Sequence, residues 1–433
     1  MSKKLIFIII AIFIISIQAA YPAEQTSDKL LALPQVDTRT ELLSIVFRLA
    51  GNHEYNISNF KEYVRDVDEY FGGYKNHEAV RYAQEMREQY GVSYDAVAAI
   101  SFHLEPIPSL KPKTTFTDEA FSRWGGAENA LKFVALLQKF AADTRCEEFF
   151  RMHEQLYALA EERFRHIYDS VDVDWFISFY GTKPTGKLNI IVGFGNGPCN
   201  YGPKVLNADK TEDCYAVMGT WSFDSLGKPQ YSAAEYLPLI IHEFNHSFVN
   251  HINEKNEKAF EPFSTNVFEQ VKYNMQRQAY PTPICMLNET LVRACVVQYL
   301  KSHDSDNGKT LKEEIQYQIG TGFIWIANLG KILDSYESNR AKYTTLESFV
   351  PDLVEFYKWL SENPDQVFGK CPHVTSVEPF ANNSDSARSE TKEMRIHFDK
   401  PLAGSGFSIW RSQSEGTQFP IDGQNVRYKD GNK

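Results

Sequence analysis

No two cysteines in this chain stand as C-x-x-C, which excludes a structural zinc ribbon. Six cysteines are spread over the chain: Cys146, Cys199, Cys214, Cys285, Cys295 and Cys371. Cys199 and Cys214 bracket a polar loop and are the first pair to consider for a disulfide; most of the others read as buried free thiols. No block or stripe of Lys and Arg occurs, and the net charge is −11. Nucleic acid and anionic membranes are therefore poor partners. No apolar stretch reaches the roughly 20 residues of a membrane-spanning helix. The longest candidate, Leu5–Ile17, has 13 residues, follows Lys3 and Lys4, and is succeeded by Ala19, Ala20 and Ala23. That is the pattern of a cleavable export signal over residues 1–20. No integral membrane segment is expected after its removal, and no cysteine near the cleavage site suggests a lipid anchor. The expected location is periplasmic, cell-surface or secreted.

Aromatic residues are plentiful, at 14%, with Tyr and Phe throughout, enough to fill a core. A first domain is expected over residues 21–370. Residues 34–170 read as helices, with Asp37 or Thr38 capping the first and longer helices near Ala127–Ala142 and Glu147–Ser170. His153 and His166, in the last of these, fall on different faces and read as structural or surface residues. The texture then changes. Trp175–Tyr180 and Leu188–Gly193 are short β-rich runs bounded by Gly and Pro, and Cys214–Trp221 is a third. Gly193–Pro198 is Gly-rich but lacks a phosphate-binding pattern, so it reads as a turn. Helices are expected again near Val267–Arg277, Leu287–Leu300, Leu311–Ile326 and Leu346–Leu360, ending near residue 362. Asp304, Asp306 and Gly308 lack the remaining EF-hand positions and read as a solvated turn.

The most informative stretch is Leu237–Ile252, LPLIIHEFNHSFVNHI. Leu237, Ile240, Ile241, Phe244, Phe248 and Ile252 form one apolar stripe of a helix. His242 and His246, four residues apart, share the opposite face. Two imidazoles so placed can hold one zinc ion, and Glu243 beside the first can act as base on a water there. His251 is half a turn out of phase with His242 and reads as a packed, hydrogen-bonded histidine. The longer metzincin pattern fails, because Val249 and Ile252 stand where Gly and His are required. A catalytic zinc takes three protein ligands, so an acidic residue must complete the set. Glu254 and Glu257 are near in sequence but lie where the helix frays. Glu289, expected in the first turn of an amphipathic helix, is better placed.

His242-Glu243-x-x-His246 with Asn288-Glu289 resembles the gluzincin branch of zinc metallopeptidases. The resemblance spans about residues 185–300. It implies one Zn2+ held by His242, His246 and Glu289, with Glu243 as general base. The downstream signature is N-E-x-x-x-D, and Arg293 stands here in place of its Asp. In the family that Asp buttresses a ligand His; Asn250, one turn past His246, is positioned to substitute, and with Arg293 is expected around the ligands. The resemblance also implies a strand upstream of the helix that pairs with extended substrate. Tyr215, Ala216, Val217 and Met218 are placed for it, though their apolar run equally fits a central strand. The exported architecture is similar to a family of uncharacterised bacterial secreted zincin-like proteins.

A boundary is expected near Asn363–Val374. Beyond it, 374–433 reads as strands: Val374–Val377, Glu393–Phe398 and Gly406–Trp410. Pro379 with Phe398-Asp399-Lys400-Pro401 resembles bacterial Ig-like domains. About 60 residues fall short of a sandwich of about 100, so this domain is expected to be partial. The expected fold is α+β: a mostly helical zincin-like domain with a small sheet, its metal site within 175–300 and helices over 311–362, then the Ig-like segment. The expected function is an exported zinc-dependent peptidase acting on a peptide or protein. The alternatives are a catalytically weak zincin-fold module binding glycan or cell-wall peptide, and a surface protein in which HEFNH is incidental. Oligomeric state is not legible.

Overall fold

The computed structural model describes residues 30–381, 384 and 390–402. The expected export signal and the expected strand Gly406–Trp410 lie outside them. The fold is mostly helical with small sheets, of the α+β class. The chain divides into two compact units, Met1–Ser247 and Phe248–Lys433. No described helix is long and apolar enough to cross a membrane.

The first unit opens with α1 (Thr38–Leu49), α2 (Lys61–Phe71), α3 (Glu78–Tyr90) and α4 (Asp95–Ser101). Asp37 caps α1 by accepting from the Arg39 amide at 2.9 Å, satisfying one of the first-turn donors. Next come α5 (Ala127–Thr144), α6 (Cys146–Met152) and α7 (Glu154–Tyr168). The single helix expected over Glu147–Ser170 is therefore two, broken at His153, whose ring bonds the Phe149 carbonyl at 2.9 Å and Asp66 Oδ2 at 3.1 Å.

The β-rich reading of Trp175–Tyr180 is corrected. These residues form α8 (Val173–Tyr180). Asp172 accepts from the Trp175 amide at 3.0 Å and Gly181 ends the helix with positive φ. A cap and a stop of this kind outweigh the β preference of the aromatics between them.

The sheet has order β1 (Leu188–Val192), β3 (Glu212–Met218), β2 (Lys204–Leu206), with β1 parallel and β2 antiparallel to the middle strand. The outer side of β1 is covered by parallel bridges from Leu31 and Gln35. Tyr215 and Val217 pack on one face with Ala98, Phe102, Ile191, Tyr201 and Val205. The Phe102 and Tyr215 rings stack at 3.8 Å. Burying each such side chain contributes about 1.5–3 kcal/mol.

The candidate pair Cys199–Cys214 does not form, and all six thiols are free. The ladder explains why. Tyr201 is opposite Val217 and Lys204 opposite Cys214, and a Cβ on Gly219 would lie 2.9 Å from the Cys199 carbonyl. Cys199 is thus level with Gly219, and five strand positions, roughly 17 Å, separate it from Cys214. Helix α9 (Ala233–Lys255) follows the sheet, and the division between the units falls within it.

The second unit contains α10 (Glu257–Arg277), α11 (Pro283–Ser302), α12 (Lys309–Gly320), α13 (Ile326–Ser338), α14 (Val350–Glu362) and α15 (Pro364–Val367). Helix α11 packs on α10, α12 and α13 and is buried on nearly every side from Met286 to Leu300, as a central helix must be. It begins a turn earlier than expected, capped by Thr282 with Pro283 at its start, so Glu289 lies in its second turn and not its first. Asp304 accepts amides from Asp306 and Gly308, and Asp306 those of Lys309 and Thr310, so this acidic stretch is a turn leading into α12. Strands β4 (Val374–Glu378) and β5 (Arg395–Phe398) pair antiparallel. Asp399 joins them to His373 through its amide at 3.0 Å and Oδ1 at 2.7 Å.

Candidate metal centre

Helix α9 buries Tyr236, Ile240, Ile241, Phe244, Val249 and Ile252, close to the stripe read from the sequence. Helix α8 helps hold it. The Tyr180 hydroxyl donates to Asn245 Oδ1 at 2.8 Å, in the middle of the motif, and Phe176 meets Phe244 edge to face at 6.1 Å. This fixes the roll of α9 about its axis and leaves His242 and His246 half-buried on the other face.

Their Nε2 atoms are 3.2 Å apart. With each nitrogen about 2.05 Å from a shared zinc, a separation of 3.2 Å corresponds to an angle of roughly 100°, near tetrahedral. Glu289 supplies a carboxylate oxygen, and the three ligand atoms all lie within 4.8 Å of one another. Two imidazoles and a carboxylate are a donor set that suits a catalytic zinc, so these residues fit the metal read from the sequence. Glu254 and Glu257 are exposed and outside the group. His251 is also outside it and is exposed, which corrects its reading as a packed histidine. Asn250 is half-buried.

Glu243 is buried, at 8% exposure. A Cβ built on Gly202 would lie 2.8 Å from the Glu243 carbonyl oxygen and 2.8 Å from its Oε2. The segment running from Tyr201 into β2 thus passes directly over the candidate base. Tyr201 exchanges main-chain hydrogen bonds with Val217 at 3.0 and 2.9 Å, and Pro203 accepts from Tyr215 at 2.9 Å. In an antiparallel strand the groups alternate, so those of Gly202 and Lys204 face away from β3. Tyr215–Met218 by contrast lie in the middle strand with pairing on both sides. An extended peptide cannot add to them there, which corrects their assignment as the substrate strand.

Arg293 is buried and donates to Glu289 Oε2 at 3.0 Å, one helical turn away. It also donates to Gln318 Oε1 at 2.8 Å and to the Tyr280 hydroxyl at 3.0 Å. Burial, chiefly, keeps the Tyr280 hydroxyl far above the usual phenol range, so it remains a proton donor. Gly202, Tyr180, Tyr280 and Gln318 were missed as site residues in the sequence.

The Gly-rich turn 193–198 serves a carboxylate. Glu41 of α1, fully buried, accepts from the amides of Phe194 at 2.8 Å and Gly195 at 3.1 Å. Burial raises its pKa to about 7 against the opposing pull of these amides and Tyr63.

A family described as a domain of unknown function, DUF4932, matches residues 118–356. That is more than half of the chain and includes His242, Glu243, His246 and Glu289, so the chain belongs to this family. No curated protein and no solved structure matches it.

Proposed function

We propose that this DUF4932 member is an exported zinc-dependent metallopeptidase. His242, His246 and Glu289 would hold one zinc ion, and Glu243 would be the general base. The observation that carries the reading is the convergence of the three ligand atoms within 4.8 Å, with Glu243 beside the first ligand. A zinc ion bound there supplies Lewis acidity, polarising a carbonyl and lowering the pKa of water. Glu243 takes a proton as the nucleophile forms and returns it to the leaving amine. Its burial beneath Gly202 limits its motion.

The substrate in this reading is an extended peptide. It adds to the outward-facing main-chain groups of Gly202 and Lys204, which puts it over Glu243. A long helix against a small sheet with an antiparallel outer strand supports a zincin-like architecture. The pairing of β4 with β5 supports an Ig-like segment after it, and Lys3-Lys4 before Leu5–Ile17 supports export.

Two measurements on the purified protein test the proposal. Elemental analysis should find about one zinc per chain, and a peptide library should be cleaved without chelator and spared with it. Absence of metal overturns the metal reading. Zinc without cleavage overturns the peptidase and leaves a module that binds glycan or cell-wall peptide.

A further inference from the structure

Arg293 is a cation in an apolar helix interior, and its side chain is fixed on several sides. Its guanidinium lies 4.7 Å from the centre of the buried Phe323 ring. Nη1 is bound to Gln318 Oε1 at 2.8 Å, and Gln318 Nε2 is bound in turn to Glu314 Oε1 at 2.6 Å. Nη2 reaches both the Tyr280 hydroxyl and Glu289 Oε2, each at 3.0 Å. A planar fork held this way cannot follow a turning carboxylate, as a flexible ammonium could.

We infer that Arg293 is a positioning residue of the metal centre. Anchored itself by Tyr280 and Gln318, it holds Oε2 of Glu289, sets the carboxylate's rotation and directs its other oxygen to the metal. The inference rests on the proposed reading of His242, His246 and Glu289 as ligands. Two consequences separate it from a purely structural ion pair. A carboxylate with a free rotor must be ordered each time a metal binds, whereas one locked by a guanidinium is ordered already. A cation that was only a neighbour would repel a divalent ion, and its removal would tighten binding. The two roles therefore predict opposite signs.

The test is the zinc affinity of the full chain, measured by competition with a chelator, for wild type, Arg293→Gln and Arg293→Lys. Positioning predicts that Arg293→Gln weakens zinc by roughly 10–100-fold, the usual effect of losing a partner of a metal ligand. Arg293→Lys should weaken it too, since the charge remains but the fork is lost. The visible spectrum of the cobalt(II)-loaded protein should change in both, because the oxygen presented to the metal changes. Should neither variant fold, Tyr280→Phe and Gln318→Leu loosen the guanidinium from outside, and each should weaken zinc several-fold, on the order of one lost hydrogen bond. Wild-type protein that binds zinc, with variants that bind it equally or more tightly and give an unchanged cobalt spectrum, overturns the inference alone. Wild-type protein that binds no zinc overturns the proposed metal site and the inference with it.

Discussion

Gly202 and Glu243 are in main-chain contact: a Cβ at Gly202 would stand 2.8 Å from both the carbonyl oxygen and Oε2 of Glu243. The side-chain oxygen could turn aside, but the carbonyl belongs to α9 and could not. Gly202→Ala should therefore push the strand from the helix, at a cost of about 1–3 kcal/mol. Denaturant unfolding measures that cost. If the proposed peptidase reading holds, peptide cleavage by the folded fraction should fall as well, since the outer strand and the proposed base lose their spacing. Unchanged stability and turnover would show that the contact is slack.

Glu243→Gln removes the proposed base and keeps the shape. Hydrolysis should fall by about 10²–10⁴-fold, while zinc content and thermal stability stay at wild-type values. Near-normal turnover in this variant would rule out Glu243 as the proton carrier.

Glu289→Ala should abolish tight zinc binding, and Glu257→Ala should not, because Glu257 is exposed at the start of α10. Chelator competition compares them directly. The reverse order would move the third ligand and leave the two histidines in place.

Glu41 makes stability depend on pH. Burial raises its pKa from 4.5 to about 7 in the folded protein. Between those values the folded chain keeps a proton that the unfolded chain has released. Its contribution is thus fully present below pH about 4.5, is lost as pH rises through about 7, and then stays flat. The full span is about 3 kcal/mol. Unfolding free energies at pH 5 and pH 8 should differ by about this much more in wild type than in Glu41→Gln. Parallel pH profiles would exclude Glu41 as the source.

The export reading has its own check. N-terminal sequencing of the secreted protein should start between Ala20 and Glu24. A first residue of Met1 would count against a cleaved signal.

The face of α9 was legible because one element carries it: apolar residues repeat at helical spacing, with the two histidines opposite. Asp37 was legible as a cap for the same local reason. Most of what went unread depends on distant pairings, and one stretch was misread for a local reason. Trp175–Tyr180 has the residues of a strand, yet Asp172 and Gly181 make it a helix, and that helix holds Asn245 through Tyr180. Cys214–Met218 was recognisable as a strand. Its central place depended on Leu188–Val192 pairing along one side and Tyr201–Leu206 along the other. Arg293 appeared only as a departure from a pattern; its contacts to Tyr280 and Gln318 join residues 13 and 25 positions away.

The free thiols make the protein its own unfolding clock. Cys146 and Cys214 are buried, and burial pushes their pKa up to about 12 and about 11. Cys295 is fully buried too. Alkylating reagents attack the thiolate, so none of the three should react until the chain around it opens. Cys146 and Cys214 lie in the first unit and Cys295 in the second. Mass spectrometry of timed alkylation would therefore read the opening rate of each unit from the native chain, with no engineered label.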